Sequence, residues 1–282
     1  MNPDQITPVV LTCNEAPNIG RCLERLRWAR EVLVVDSFST DETLNIVGEF
    51  PNTRVCQRTF DDFANQWHYA LDHGEIQTPW ILALDADYMV TDEFLAEVND
   101  LAERPAISAY VAPFVFAIWG RPLRGSVYPP VAVLFRKNCC RYRQDGHAYR
   151  LVVERGETVS LSSPLVHDDR KSLGRWLQSQ SKYMDLEAEK LLATPRGRLS
   201  GTDRLRRYTP LAPILVLLYS LVVKRGGFDG PAGWFYAWQR CAAEAILQLK
   251  LLERRLAGST PQPATIQPTA RQENVGSGGR VS

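Results

Sequence analysis

What the chain lacks narrows its function first. Its six cysteines, Cys13, Cys22, Cys56, Cys139, Cys140 and Cys241, include no CxxC pair and stand in no zinc-type spacing with the four histidines. That argues against a structural metal centre and leaves reduced thiols as the plain reading. Thirty-three basic residues face 32 acidic ones, a formal net charge of +1, so no global basic field points to nucleic acid as a partner. No glycine-rich turn follows the first apolar run, and the dinucleotide fingerprint and the P-loop are therefore both absent. The apolar run at residues 211–223 contains Pro213 and falls short of the ~20 residues of a straight membrane-spanning helix. The first five residues show neither the basic nor the apolar region of a secretory signal. Export is not expected, and a cytosolic setting is.

What is present is an ordinary globular composition, 45% hydrophobic and 23% charged over 282 residues, which excludes wholesale disorder and a multi-spanning membrane protein. The first hundred residues alternate between two hydrophobic periods. Strands are expected at 6–12, 31–35, 54–57 and 80–84, and helices at 17–28 and 62–73. Between them Ser39-Thr40-Asp41-Glu42 has the pattern of a capping box opening a further helix that carries Leu44 and Val47. Four strand-helix alternations with short connections predict an α/β fold with a mostly parallel sheet, whose ligands lie beyond the carboxyl ends of its strands.

From residue 107 to about 166, short β-rich runs at 109–116, 131–136 and 158–161 predict an antiparallel or mixed extension of the same sheet. A polar helix is expected at 172–193. Residues 194–207 hold five arginines and one acid, Asp203. Residues 234–256 read as an amphipathic helix with Trp234, Trp238, Cys241, Ala245, Leu249 and Leu252 on one stripe. From 258 onward Ser, Thr, Pro, Gln and Gly dominate, the composition of a disordered tail. The expected organisation is a catalytic domain over 1–193, a helical, membrane-interfacial extension over 194–257 and a disordered tail over 258–282.

In such a sheet the informative positions are strand ends, and three of them are polar: Thr12-Cys13-Asn14-Glu15, Asp36-Ser37 and Asp85-Ala86-Asp87. Each alone reads as a turn or a helix cap. Together, on one edge of the sheet, they point to a site. Asp85 and Asp87, one residue apart after a buried strand, would be costly without a cation, and Mg²⁺ or Mn²⁺ bound by carboxylates and substrate phosphates would neutralise them. The structural alternative, that Asp87 only begins the next turn, is weakened by Thr91, which is placed to cap the following helix. Without a phosphate loop, a nucleotide here must be held by the metal and by Asn14, Glu15 and Asp36.

The segments Val10-Leu11-Thr12-Cys13-Asn14-Glu15, Val35-Asp36-Ser37-Phe38-Ser39-Thr40-Asp41-Glu42-Thr43, Phe60-Asp61-Asp62-Phe63-Ala64-Asn65-Gln66 and Leu84-Asp85-Ala86-Asp87 resemble the inverting GT-A glycosyltransferases of family 2. The nearest branch in pattern is that of lipopolysaccharide-core glucosyltransferases of the WaaE/KdtX type. The resemblance covers residues 6 to about 256. It implies a GT-A type sheet and a nucleotide-diphospho-sugar donor bound around Thr12, Asn14, Glu15, Asp36, Gln66 and Asp85, with the metal on Asp87. A lipid-linked or membrane-held acceptor in cell-envelope glycan synthesis is also implied.

Two departures bear on mechanism. His68 stands where relatives usually carry Asn, and Asp145-Gly146-His147-Ala148 stands where they tend to have a His-Glu pair. An inverting transferase needs a base for the acceptor hydroxyl, and Ala148 cannot serve. Asp145 is the nearest carboxylate, with Asp168 and Asp169 behind it. His147 is a candidate metal or diphosphate ligand, and His167 is expected to be structural. Arg58 and Gln66 could line a sugar pocket, and Trp119, Arg121 and Tyr128 an acceptor side. The basic flanks of residues 211–223, with the aromatic cluster Trp234, Phe235, Tyr236 and Trp238, predict interfacial attachment to the cytoplasmic face of the plasma membrane. A buried helical hairpin is the alternative. A sugar nucleotidyltransferase and a silent sugar-nucleotide-binding scaffold are the competing functions. The first would need a basic, glycine-rich loop where the chain has Glu15.

Overall fold

The computed structural model describes residues 1–145 and 148–258. The expected alternation is present as β1 (Ile6–Thr12), α1 (Ile19–Glu24), β2 (Val32–Asp36), α2 (Thr43–Val47), β3 (Thr53–Gln57), α3 (Phe63–His73) and β4 (Trp80–Asp85). Helices cover both faces of the centre, which is why β1 and β2 are apolar runs buried along their whole length. The chain continues through β5 (Tyr88–Met89), α4 (Asp92–Asp100), β6 (Ile107–Ala112), β7 (Phe114–Ile118), β8 (Arg121–Pro122) and β9 (Val131–Arg136). It then passes through β10 (Cys140–Asp145), β11 (Ala148–Val153), β12 (Glu157–Ser160) and β13 (Leu165–His167).

The main sheet has the order β12-β6-β9-β4-β1-β2-β3. β1 lies parallel to β2 and β4, and β2 parallel to β3, whereas β9 runs antiparallel between β4 and β6. The α/β class and the mixed extension are therefore as expected. A second sheet, β5-β13-β7-β8, stands beside the end of β4.

Three local expectations are corrected. The run at 109–116 is two strands in different sheets, divided at Pro113, which has no N–H to continue a ladder and whose carbonyl accepts from Leu165 at 3.0 Å. The helix expected over 17–28 ends at Glu24 and continues as turns. The capping box does not form: Ser39 donates to Asp36, and Asp41 instead accepts from the Thr43 N–H at 3.1 Å. Thr91 does cap α4, accepting from Phe94 N at 3.1 Å.

The C-terminal part consists of α5 (Leu173–Ala193), α6 (Gly201–Tyr208), α7 (Ala212–Leu218), a π-helical turn at Tyr219–Val223 and α8 (Gly230–Gly258). Met184, Ala188 and Leu191 of α5 pack on Leu247 and Leu251 of α8. Pro213 lies in the first turn of α7, where its missing N–H costs nothing, so it does not break the run. The turn into α8 is tight: a Cβ on Gly233 would lie 1.9 Å from the Gly226 carbonyl oxygen, so only glycine fits there.

Helix α8 is apolar on two faces. Tyr236, Ala237, Ala243, Leu247 and Leu251 are buried, whereas four members of the stripe read from the sequence, Trp234, Trp238, Leu249 and Leu252, face outward. With Leu211, Ile214, Leu218, Val222 and Val223 they leave much of the hairpin's outer side apolar and exposed. Among the described residues no helix is long and apolar enough to cross a membrane. The tail expected to be disordered lies, from residue 259, outside the described residues.

Candidate active site

Parallel pairing brings the polar strand ends level: Thr12 is registered with Asp36, and Leu11 with Asp85. The loops beyond them are braced by their own side chains. Asp36 is fully buried and accepts from Ser39 N at 3.0 Å, Ser39 Oγ at 2.5 Å and Gln57 Nε2 at 2.9 Å. Asn14 holds a left-handed backbone, φ 55°, which Asn tolerates better than most residues. Its Oδ1 accepts from Thr40 N at 2.7 Å and Asp41 N at 3.2 Å, joining the β1 loop to the β2 loop. Gln66 of α3 donates to Ser37 Oγ at 3.1 Å and accepts from Arg58 at 2.8 Å.

Two joined cavities open over these ends. The first, of ≈ 470 Å³, is lined by Thr12, Asn14, Glu15, Gln66, Asp85 and Asp87, with Lys171 and Arg175 from the α5 side. Five of the six residues expected at the donor thus line one cleft. Asp36 does not. Its oxygens accept from the loop that follows β2 and from Gln57. The second cavity, of ≈ 430 Å³, shares Asp85, Asp87 and Lys171 and adds His167, Asp169, Trp119, Tyr128 and residues of α8. Arg121 is exposed on β8 and lines neither.

Asp87 and His167 meet at the seam of the two cavities. His167 Nε2 lies 3.2 Å from Asp87 Oδ2, and Asp168 N donates to the Asp87 carbonyl at 3.1 Å, so β13 is stitched to the end of β4. Phe116 packs edge-on to the imidazole at 4.5 Å and Tyr128 stacks on it at 4.9 Å, fixing the ring. Burial opposes charge on Asp87, yet the His167 charge and hydrogen bond hold its carboxyl down at about 2. Burial likewise opposes protonation of His167, and Asp87 raises it. Asp85 accepts from Tyr149 OH at 3.0 Å and is pushed up to about 6 by burial and by the charge of Asp87. His167, expected to be structural, thus also lines the second cavity, beside Asp87. A histidine followed by two acids at the end of a strand was the signal in the sequence.

The residues present fit a divalent ion. Asp87 Oδ1 and His167 Nδ1 are buried and have no hydrogen-bond partner among the described residues. No group of three or more His, Cys, Asp or Glu side chains converges among the described residues, so any ion here would complete its shell with substrate oxygens and water. That suits Mg²⁺ or Mn²⁺ better than a closed zinc site.

The remaining carboxylates divide clearly. Glu15 meets Lys171 Nζ at 2.5 Å and Asn18 Nδ2 at 2.8 Å, and burial raises it to about 7 against the pull of Lys171. Asp169 lines the second cavity, accepts from Asn18 Nδ2 at 2.9 Å and from Lys171 N at 3.0 Å, and lies 3.4 Å from Lys171 Nζ. Asp168 is buried under Arg21, Arg170 and the Gly120 N–H. Asp145 does not join them: Lys190 at 2.6 Å and Arg150 at 3.3 Å hold it, in a separate cavity of ≈ 380 Å³. His147 lies outside the described residues.

The model of the family described as glycosyl transferase family 2 matches residues 8–150. The lipopolysaccharide core biosynthesis glycosyltransferase LpsC of Rhizobium meliloti (strain 1021) is 27% identical over 197 residues, 65% of this chain and 70% of LpsC. The SPbeta prophage-derived glycosyltransferase SunS of Bacillus subtilis (strain 168) is 27% identical over 140 residues, which are 47% of this chain. The chain spans only 31% of the length of SunS. Among solved structures, S. aureus TarS 1–349 in complex with UDP-GlcNAc is similar over 89% of this chain and 92% of its own, at 15% identity and a TM-score of 0.43. Glucosyl-3-phosphoglycerate synthase from Mycobacterium tuberculosis, in complex with Mn²⁺, UDP and glucosyl-3-phosphoglycerate, is similar over 68% of this chain and 81% of its own, at 15% identity and a TM-score of 0.44.

Proposed function

The chain belongs to glycosyl transferase family 2, and on that premise we propose that it transfers a hexose, with inversion, from a nucleotide-diphospho-sugar to a lipid-linked acceptor at a membrane surface. The observation that carries the reading is the buried Asp87–His167 pair, with Asp87 Oδ1 unpartnered, at the seam of the two cavities. Two adjoining cavities suit two substrates, and their shared wall suits the atoms that react.

In this reading the first cavity takes the donor. Glu15, Asn14, Thr12 and Gln66 line the space for its nucleoside, and Lys171 stands beside the space for its diphosphate. Asp87 and His167 would hold Mg²⁺ or Mn²⁺, which when bound offsets the charge of the departing diphosphate. The acceptor oxygen bonds to the anomeric carbon as the bond from that carbon to the diphosphate breaks. The hydroxyl proton passes to a carboxylate. Asp169, which lines the second cavity, takes that role in place of Asp145.

The exposed apolar side of α7 and α8, flanked in sequence by Arg204, Lys224 and Arg225, supports attachment to an anionic cytoplasmic leaflet without spanning it. The low-identity relative LpsC, named for lipopolysaccharide core biosynthesis, supports a cell-envelope acceptor. The test incubates purified protein and membranes with a panel of nucleotide-sugars in Mn²⁺, Mg²⁺ or EDTA and scores release of nucleoside diphosphate. Release from one donor, dependent on the metal and on membranes, is expected. No release from any donor would leave a silent binding protein.

A further inference from the structure

The second cavity holds a cation that the reaction above does not use. Arg240, on α8, lines that cavity beside Phe235 and Glu244. Among the described residues its Nε, which is buried, has no hydrogen-bond partner, and the side chain forms no ion pair. Glu244, one turn along the helix, is engaged elsewhere: it accepts from Arg206 Nε at 3.0 Å, while Arg206 also donates to Glu187 at 2.8 Å. Glu244 balances part of the Arg240 charge at a distance but leaves its donors unused. A guanidinium carries five N–H donors in a fixed fork, and here the Nε–H is buried and unpaired, which is costly.

The arginine is nonetheless held in place. Trp176 and Tyr236 lie 6.0 and 5.7 Å from its guanidinium carbon, contacts that fix a cation through ring faces and consume no donor. A guanidinium held so, with its fork free, is prepared for two oxygens of one anion. The walls add a second requirement. Val216 of α7 and Phe235 of α8 line the same cavity, and the outward side of this helix pair is the exposed apolar surface of Ile214, Leu218 and Trp238.

We infer that Arg240 binds an oxyanion, a phosphate or carboxylate, carried by the acceptor close to its lipid, so that the acceptor is an anionic glycolipid and not a neutral one. This rests on the reading of the second cavity as the acceptor side. The assignment to the acceptor and not the donor follows from position. Arg240 is absent from the first cavity, whose cations are Lys171, Arg175 and Lys182.

The experiment titrates the full chain with octyl phosphate below its micellar concentration, with octyl glucoside and with inorganic phosphate, following tryptophan fluorescence and calorimetry. Octyl phosphate should bind at least tenfold more tightly than either of the others. Arg240→Gln should lose at least tenfold for octyl phosphate alone, and Arg240→Lys should recover part of it, with unchanged circular dichroism in both. Equal binding of octyl phosphate and octyl glucoside overturns the anion, and equal binding of inorganic phosphate overturns the lipid. Uridine diphosphate forms the last arm: a tenfold loss of its affinity in Arg240→Gln, with octyl phosphate unaffected, would put the guanidinium on the donor and end the proposal. Failure of the nucleotide-sugar panel would instead remove the transferase reading and leave the alkyl phosphate result standing.

Discussion

His167 Nε2 stands 3.2 Å from Asp87 Oδ2 with both side chains largely withdrawn from water, so the residue that ends β13 is bound to the residue just beyond β4. Replacing either should be severe for activity and mild for the fold. Asp87→Ala and His167→Ala are each expected to lower turnover on the order of a hundredfold or more, and to weaken Mn²⁺ binding measured by calorimetry in the presence of nucleoside diphosphate. A His167→Ala protein with wild-type metal affinity and rate would return that residue to a packing role.

The Glu15–Lys171 pair gives a prediction with a pH sign. Glu15 is raised to about 7 from its ordinary 4.5, so it holds its proton more tightly folded than unfolded, and stability falls as pH rises between those values. Lys171→Met removes the cation and leaves a buried carboxylate. It should cost about 3 kcal/mol or more at pH 8 and much less at pH 5, where the carboxyl is protonated. Urea midpoints at the two values check it, and a cost that does not change with pH would contradict the assignment.

Asp169 and Asp145 are separated by their surroundings. Asp169→Asn should lower kcat by roughly 10²–10⁴ with little change in donor KM, as befits a group acting on a proton that moves in the transition state. Asp145→Asn, in its own cavity under Lys190, should stay within a few-fold of wild type. Kinetics showing the reverse order would restore Asp145 as the base.

Membrane attachment is best tested on the surface itself. A chain ending at Ala193 would also strip Leu247 and Leu251 from their contacts with Met184 and Leu191, so its behaviour would mix unfolding with detachment. Val222 is 68% and Leu218 53% exposed, and Leu218→Asp with Val222→Asp should change stability by only about 0.5 kcal/mol per site. The intact chain should float with vesicles containing anionic lipid, and the double variant should not. Flotation of both, or of neither, would argue for a surface used otherwise.

The sequence made the parallel half of the sheet legible because buried strands and amphipathic helices have different periods, and β1, β3, α3 and β4 fall within a residue or so of their expected places. Asp85 and Asp87 were legible for the same reason, being acids at the end of an apolar run. Asp36 looked alike in sequence, but its hydrogen bonds to Ser39 and Gln57 depend on a loop turning back on itself, which no spacing records. His167-Asp168-Asp169 marks a polar strand end in the sequence, but the pairing of His167 with Asp87, 80 positions away, is not legible there. The stripe on α8 is legible as a stripe. Which of two apolar faces meets the protein is decided by α5, and one-dimensional periodicity carries no such preference.

Helix α8 runs through 29 residues without a break, and on its first few turns Trp234 and Trp238 point outward while Phe235 and Arg240 line the second cavity. One rigid rod is therefore both keel and doorpost. On the proposed attachment, the height of the reaction above the lipid is set by that rod and cannot be lengthened to follow a growing chain.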